Sequence, residues 1–199
     1  MRIGVFGGSF DPPHIGHLEM AKAARDQLEL DEVVFVPAQR NPLKTFRASA
    51  SAKDRLEMVR LMIEGEPAFA VTDIEIQRGG ASYTVETLDQ LQVVSPGEYW
   101  LLVGLDSALQ FDKWRSWQRI LRLARLAVFH RNLVGSHDLS TEMREEVAER
   151  ADILTFEAMD VSSTEIRTRL YERKPIGNAL HPAVEKYIKE KKLYANSTR

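Results

Sequence analysis

Short apolar runs along this chain are separated by longer segments in which apolar side chains recur every three or four residues. Such runs predict buried β-strands, and such spacing predicts helices that each bury one face. Strands are predicted at residues 3–6, 33–36, 69–76, 99–103, 126–129 and 153–156. Helices are predicted to begin near residues 12, 51, 82, 116, 139, 162 and 181. This alternation fits one α/β domain, for which 199 residues are long enough to build a full core.

The segment at residues 7–17 reads GGSFDPPHIGH and joins the first predicted strand to the first predicted helix. Asp11 can cap this helix, and a proline fits its first position, where an N–H group has no partner. The unpaired N–H groups and the positive end of the helix dipole favour an anion. The segment is therefore a candidate phosphate-binding site, and the alternative is an ordinary structural turn.

Glycines and histidines make this segment more specific than a common turn. Gly7 and Gly8 let a ligand approach the backbone with no side chain in between. Gly16 costs the helix roughly 0.5–1 kcal/mol against alanine, which predicts that another group packs where its Cβ would be. His14 and His17 are three residues apart and share one target. A zinc site is disfavoured because the His-Glu-x-x-His spacing and cysteines are absent, and the G-x-G-x-x-G fingerprint is absent too.

These eleven residues resemble the signature of the nucleotidyltransferase superfamily with a His-x-Gly-His motif, and more narrowly that of bacterial nicotinate-nucleotide adenylyltransferases. The resemblance extends from residue 3 to about residue 194. It implies a Rossmann-like, three-layer α/β/α fold with a mostly parallel sheet, in a single nucleotidyltransferase domain over residues 1–199. It also implies that two cationic imidazoles bind phosphate, those of His14 and His17. ATP-binding residues implied in this segment are Gly7, Gly8, Ser9, Phe10 and Gly16.

A second segment, residues 161–167, reads VSSTEIR and predicts another capped helix start. It is similar to the superfamily's Ile-Ser-Ser-Thr-x-Ile-Arg motif, with Val161 in place of the isoleucine. The resemblance implies that Ser163, Thr164 and Arg167 hold the β- and γ-phosphates of ATP, so that the C-terminal helices from about residue 162 complete the ATP site. Without the resemblance, a capped helix with a surface arginine would explain the segment equally well.

Two further segments carry residues for a second substrate. Residues 38–47 form a polar, proline-marked loop after a strand, where the resemblance places Lys44 and, more weakly, Arg47 near substrate phosphates. Residues 82–84 open a helix, and the resemblance implies that Tyr83 and Thr84 offer backbone N–H groups to a pyridine carboxylate. A carboxylate gains more than a neutral amide from such donors and from the helix dipole. An ordinary Ser/Thr cap is the alternative.

The strand at residues 99–103 is strongly apolar and is predicted to be central. Gly104 and Asp106 follow it, and the resemblance favours binding of the ATP ribose by these two, whereas Asp106 could instead cap a short helix. The resemblance implies that Trp117 stacks on the pyridine ring, while Trp114 is interpreted as packing. Arg131 follows the next strand and is a weaker phosphate candidate.

Composition limits the classes of partner. The formal net charge of −2 gives no general basic field for nucleic acid. No apolar run approaches the ~18 residues that a membrane helix needs, and no signal peptide is apparent. The absence of cysteine excludes disulfides. We expect a cytoplasmic protein with no nucleic-acid or membrane partner. The oligomeric state stays open, with a homo-oligomer as one option.

The resemblance implies adenylyl transfer from ATP to nicotinate mononucleotide, which gives nicotinate adenine dinucleotide and pyrophosphate in NAD biosynthesis. Magnesium would be carried by the ATP phosphates and not by a protein metal site. The alternatives are transfer to nicotinamide mononucleotide, another adenylyl- or cytidylyltransferase of the superfamily, and a non-catalytic nucleotide sensor. A fragment of a class I aminoacyl-tRNA synthetase shares His-Ile-Gly-His, but the chain is too short for a tRNA-binding domain.

Overall fold

The computed structural model describes residues 1–42, 48–130, 144–156 and 161–195. Within them, six β-strands are formed: β1 Arg2–Gly8, β2 Glu32–Pro37, β3 Phe69–Val71, β4 Glu98–Gly104, β5 Arg125–His130 and β6 Ala151–Thr155. The longer helices are α1 Ile15–Gln27, α2 Ala52–Ile63, α4 Thr84–Val94, α6 Trp117–Leu123, α8 Ser163–Tyr171 and α9 Pro182–Lys191. Short helical turns are α3 Ile74–Arg78, α5 Leu105–Ala108 and α7 Glu145–Ala148, with a 3₁₀ turn at Phe111–Lys113.

The described strands form a sheet in the order β3-β2-β1-β4-β5-β6. This is the strand order of a Rossmann-type sheet, and β1–β4, β4–β5 and β5–β6 pair in parallel. The predicted parallel α/β fold and the central position of β4 are therefore confirmed. The strand order reverses between β1 and β4, and in such sheets ligands bind outside the carboxyl ends of the strands at that point.

The chain divides into two compact units, each made of three segments. The first unit is Met1–Gly7, Met20–Val34 and Tyr83–Ala158, and the second is Gly8–Glu19, Phe35–Ser82 and Met159–Arg199. In the first, the apolar residues of β4 and β5 form the core, and residues 126–129 are almost fully buried. In the second, α2 packs against β3 and α9, and its residues Met58, Val59 and Met62 are buried.

Three sequence predictions about elements need correction. The strand predicted over 69–76 ends at Val71, and α3 begins at Ile74 after the polar pair Thr72 and Asp73. The first helix begins at Ile15 and not at a proline. The surface helix predicted over 139–150 is helical only at Glu145–Ala148 among the described residues of that range.

Candidate active site

The two motif histidines are hydrogen-bonded to each other at the N-terminus of α1. His14 lies directly before the helix, and its backbone N–H donates to Nδ1 of His17 at 3.1 Å. A side chain at the third helical position that accepts from the N–H of the capping residue is one half of a capping box. The expectation that Asp11 caps this helix is wrong, because its carboxylate accepts hydrogen bonds from the segment at Ser49 and Ala50.

The imidazole rings of His14 and His17 lie against each other, with centroids 3.7 Å apart. His14 is buried and His17 is half-buried. Because Nδ1 of His17 accepts a hydrogen bond in this geometry, the N–H of the ring is on Nε2. In this geometry Nε2–H is the group that the His17 ring can offer to an anion, and the expectation of a cationic imidazole stays a prediction.

The glycines of the motif differ in what surrounds them. A Cβ on Gly16 would meet the His14 ring at 3.1 Å and Val161 at 3.1 Å, which confirms that other groups pack on this position. A Cβ on Gly8 would meet the ring of Phe10 at 2.9 Å. A Cβ on Gly7 would meet nothing within 4 Å. Of these three backbone positions, Gly7 is the one open to a ligand.

The Asp11 carboxylate is buried and joins three parts of the second unit. Its oxygens accept hydrogen bonds from the backbone N–H groups of Ser49 at 2.7 Å and Ala50 at 3.0 Å. The hydroxyl of Tyr194 donates to it at 2.9 Å, and a guanidinium nitrogen of Arg167 lies 4.0 Å away. Asp11 therefore fixes the conformation of the motif loop and does not cap a helix.

The second motif is hydrogen-bonded directly to the first. Ser162 caps α8, because its hydroxyl accepts from the N–H of Glu165 at 3.2 Å. The hydroxyl of Ser163 donates to the carbonyl of Pro12 at 2.8 Å. The Arg167 guanidinium donates to the carbonyl of Asp11 at 2.6 Å and to the Thr164 hydroxyl at 3.2 Å. The predicted proximity of these two helix starts is thus confirmed within the second unit.

Arg55 on α2 is 2% exposed and was not predicted from the sequence to belong to the site. Its guanidinium donates at 2.6 Å to the carbonyl of Ser9 and at 2.6 Å to the carbonyl of Ala38. Burial lowers the pKa of this guanidinium, and the nearby Asp11 opposes that shift. The signal in the sequence was a cation in helical register with the apolar residues Val59 and Met62.

In the first unit, α4 begins at Thr84 with Tyr83 as the capping residue, and the Tyr83 side chain makes no capping hydrogen bond. The Arg115 guanidinium lies 4.4 Å from the centre of the Tyr83 ring and 3.1 Å from the Glu86 carboxylate. The predicted helix start is confirmed. The alternative of an ordinary Ser/Thr cap is wrong, because Tyr83 holds the capping position and the Ser82 hydroxyl accepts from the N–H of Gln39 at 2.9 Å, within the second unit.

Gly104 ends β4 and is the capping position of α5, and Asp106 is exposed in the first turn of that helix. The alternative that Asp106 is the cap is therefore wrong. Trp114 packs against Phe111 with ring centroids 5.1 Å apart, as interpreted from the sequence. Trp117 is the first residue of α6, is half-buried, and lies 5.5 Å from the Arg144 guanidinium.

Three predicted phosphate ligands lie outside the described residues, namely Lys44, Arg47 and Arg131. In the described part of the chain, no group of three or more acidic or histidine side chains is arranged to hold a metal ion. The donors that the motifs present are N–H groups, an imidazole and a guanidinium, and these bind anions. Over the same residues, none of the helices has both the length and the apolar character needed to span a membrane.

Comparison with known proteins finds relatives over nearly the whole chain. A family model described as cytidylyltransferase-like matches residues 5–169. A curated protein of Bacillus pumilus, named "Probable nicotinate-nucleotide adenylyltransferase", is 40% identical over 97% of this chain and 98% of its own length. A protein of the same name from Desulfatibacillum aliphaticivorans is 36% identical over 98% of this chain and all of its own.

Solved structures agree at the level of the fold. The nicotinic acid mononucleotide adenylyltransferase of Plasmodium falciparum, solved in complex with NaAD, superimposes with a TM-score of 0.78. The match covers 100% of this chain and 99% of that one at 16% identity, so it shows the fold alone. The near full-length matches to the curated relatives show the family. This chain therefore belongs to the nicotinate-nucleotide adenylyltransferase family of nucleotidyltransferases.

Proposed function

We propose that this enzyme transfers the adenylyl group of ATP to nicotinate mononucleotide and releases pyrophosphate. The observation that supports this most directly is the pair of hydrogen bonds between the two motifs, from Ser163 to Pro12 and from Arg167 to Asp11. These bonds bring two helix N-termini, an imidazole and a guanidinium into one region of the second unit. Such a cluster of donors suits the several negative charges of a triphosphate.

The reaction needs no general base, because the attacking group is already an anion. An oxygen of the 5′-phosphate of nicotinate mononucleotide forms a bond to the α-phosphorus of ATP, while the bond from that phosphorus to the bridging oxygen breaks. Pyrophosphate leaves with the bonding electrons, and no covalent enzyme intermediate is formed. The enzyme then contributes positioning and charge stabilisation.

His17 and His14 are the proposed donors to the reacting phosphate, and for His17 the donor is Nε2–H. The backbone at Gly7, Gly8, Ser9, Phe10 and Gly16 surrounds the α-phosphate in this proposal. Gly7 is best suited to direct contact, because no protein atom lies where its Cβ would be.

The second motif would bind the β- and γ-phosphates. The Ser163 hydroxyl already donates to Pro12, so its contribution to phosphate binding comes from its backbone N–H in the first turn of α8. The Thr164 hydroxyl accepts from Arg167 and keeps its own proton for a phosphate oxygen. Arg167 has five N–H groups, and the two contacts described leave donors for the leaving group.

Magnesium enters as part of the substrate, MgATP. The motifs offer N–H donors and, among the described residues, no group of carboxylates, which fits an anion and not a bare divalent cation. Magnesium also keeps several waters and binds chiefly through substrate phosphates in such enzymes. It would neutralise charge on the phosphates as pyrophosphate departs.

The first unit carries the residues proposed for the nucleosides. Gly104 and Asp106 would bind the ATP ribose, Trp117 would stack on the pyridine ring, and Tyr83 and Thr84 would offer the N–H groups at the start of α4 to the carboxylate.

Lys44 and Arg47 are proposed to contact the phosphate of nicotinate mononucleotide. The family relationship supports nicotinate, and not its amide, as the accepted base.

The test is a substrate panel with pyrophosphate release as the readout. Purified enzyme is given MgATP with nicotinate mononucleotide, nicotinamide mononucleotide or phosphopantetheine, and each reaction is repeated without magnesium. The expected result is release only with magnesium and a kcat/KM for nicotinate mononucleotide at least tenfold above that for its amide, because charge-assisted bonds are worth about 1.5–3 kcal/mol. ATP binding without pyrophosphate release from any acceptor would instead favour a nucleotide sensor.

A further inference from the structure

The C-terminal segment returns to the first motif through one side chain. Helix α9 ends in a turn in which Lys192 has a positive φ of 52° and the N–H of Leu193 donates to the carbonyl of Ile188 at 3.0 Å. This six-to-one bond belongs to a Schellman motif, which reverses the chain direction. Tyr194 follows with a φ of 62°, and its hydroxyl donates to Oδ1 of Asp11 at 2.9 Å.

A non-glycine residue in the left-handed region is held there at a cost of about 1–2 kcal/mol. Tyr194 adopts this conformation two residues after Lys192 does the same. The side chain of Tyr194 is the part of this turn that reaches the buried carboxylate of Asp11. The hydrogen bond to Asp11 therefore offsets the cost of the left-handed backbone conformation of Tyr194. This is expected if the hydroxyl has a role beyond packing.

The two oxygens of the Asp11 carboxylate have different neighbours. Oδ1 accepts from the Tyr194 hydroxyl and from the N–H of Ala50. Oδ2 accepts from the N–H of Ser49 and lies 4.0 Å from the Arg167 guanidinium, which is too long for a hydrogen bond. The guanidinium donates instead to the backbone carbonyl of Asp11 at 2.6 Å. The donors on the carboxylate thus leave a long ion pair, and no hydrogen bond, between it and the arginine.

We propose that Tyr194 is a positioning residue for the triphosphate site: its hydroxyl keeps the Asp11 carboxylate from closing into a hydrogen-bonded ion pair with Arg167, so that the guanidinium stays available to phosphate. Without that donor, Asp11 would lose a partner on Oδ1 and would gain by closing the 4.0 Å gap to the guanidinium. The long ion pair would then become a hydrogen-bonded one that competes with phosphate for the Arg167 guanidinium. This inference rests on the proposed function, since it assigns the phosphate of ATP to Arg167.

The surroundings of the Tyr194 hydroxyl favour its protonated form, which is the form that donates. Burial raises the pKa of its hydroxyl, and the adjacent Asp11 carboxylate raises it further, whereas Arg167 and Arg55 oppose the shift. The hydroxyl therefore keeps its proton at neutral pH and can donate to Asp11.

The test compares Tyr194→Phe with Tyr187→Phe. The second variant is a matched control, because the Tyr187 hydroxyl also donates to an aspartate, Asp54, at 3.0 Å, but on a contact to which we assign no part in binding. Dissociation constants for MgATP are measured by titration calorimetry without a second substrate, and KM and kcat are measured with both substrates. We expect the dissociation constant and the KM for ATP to rise roughly 3- to 20-fold in Tyr194→Phe, with kcat changed less than twofold, and neither to change in the control.

A double-mutant cycle identifies the route of the effect. In an Arg167→Ala background, removing the Tyr194 hydroxyl is expected to change ATP binding no further, because the group on which it acts is absent. An unchanged affinity in Tyr194→Phe, or an equal rise in both backgrounds, would overturn the inference. If the wild-type protein binds no MgATP or releases no pyrophosphate, the proposed function fails, and that outcome is visible before any variant is made.

Discussion

The Nδ1 atom of His17 accepts a hydrogen bond from the backbone N–H of His14 at 3.1 Å, and the two rings lie 3.7 Å apart. This bond fixes the tautomer of His17, because the proton of the ring must then be on Nε2. It also fixes the direction of the ring, since Nδ1 is tied to the helix start. His17 is therefore oriented before substrate arrives, which is the condition for efficient charge stabilisation in the transition state.

Replacing His17 with alanine tests that role. We expect kcat to fall by about 10²–10³-fold, as for the loss of one oriented donor to transition-state charge. The free energy of unfolding should fall by only about 0.5–2 kcal/mol, because the substitution also removes a partner of the N–H before α1. Steady-state kinetics and urea denaturation measure the two effects separately.

His181 provides the matched control for this substitution. Its Nδ1 also accepts from a backbone N–H at a helix start, that of Ala183 at 3.4 Å. His181→Ala should therefore cost a similar amount of stability and leave kcat unchanged. Equal losses of kcat in the two variants would show that His17 acts through helix capping alone.

How well the sequence predicts a feature of this structure depends on how far apart in sequence the interacting residues lie. Strand β4 and the capped start of α8 at Ser162 follow from neighbouring residues, and the structure confirms them. Asp11 was misjudged because its partners, Ser49 and Tyr194, are distant in sequence, and a local rule offers only a nearby helix to cap.

Arg55 was missed for a related reason. A helical pattern alone does not distinguish an arginine that faces solvent from one that donates to carbonyls in another segment. Its partners at Ser9 and Ala38 are set by the tertiary fold. The roles of Lys44 and Trp117 are inferred from the family resemblance, because no local sequence pattern predicts them. These roles stay predictions.

Substitutions at two glycines of β1, Gly7 and Gly4, distinguish a backbone that contacts a ligand from one that is packed against the protein. Gly7→Ala places a Cβ where no protein atom lies within 4 Å, so the melting temperature should change little. If phosphate approaches the backbone there, the KM for ATP should rise, and we expect an increase of about tenfold or more. Gly4→Ala is the control, because its Cβ would meet Leu30 at 2.8 Å and should lower stability without raising the KM for ATP. A normal KM in Gly7→Ala would remove this glycine from the site.

The start of α4 allows one backbone donor to be deleted. Thr84 is the first residue of the helix, a position that accepts proline, and Tyr83 before it is extended with a φ of −103° and a ψ of 121°. Thr84→Pro should therefore keep the helix and remove one N–H. We expect the KM for nicotinate mononucleotide to rise roughly 3- to 10-fold, while the KM for ATP is unchanged.

Thr84→Ala is the companion variant, since it removes the hydroxyl and keeps the N–H. It should retain the preference for nicotinate over nicotinamide mononucleotide, measured as a ratio of kcat/KM values. If the alanine variant loses that preference and the proline variant keeps it, the hydroxyl and not the backbone would recognise the carboxylate.

The buried Arg55 couples stability to the conformation of the first motif. Arg55→Met removes a cation that donates at 2.6 Å to the Ser9 and Ala38 carbonyls, and leaves both without that donor. We expect the free energy of unfolding to fall by about 3 kcal/mol or more. Arg60→Met on the same helix is the control, because its ion pair with Glu57 at 3.6 Å is exposed and is worth less than about 1 kcal/mol. Urea denaturation compares the two, and kcat should fall only in the Arg55 variant, since Arg55 and not Arg60 holds the Ser9 carbonyl. Equal stability losses in the two variants would contradict this assignment.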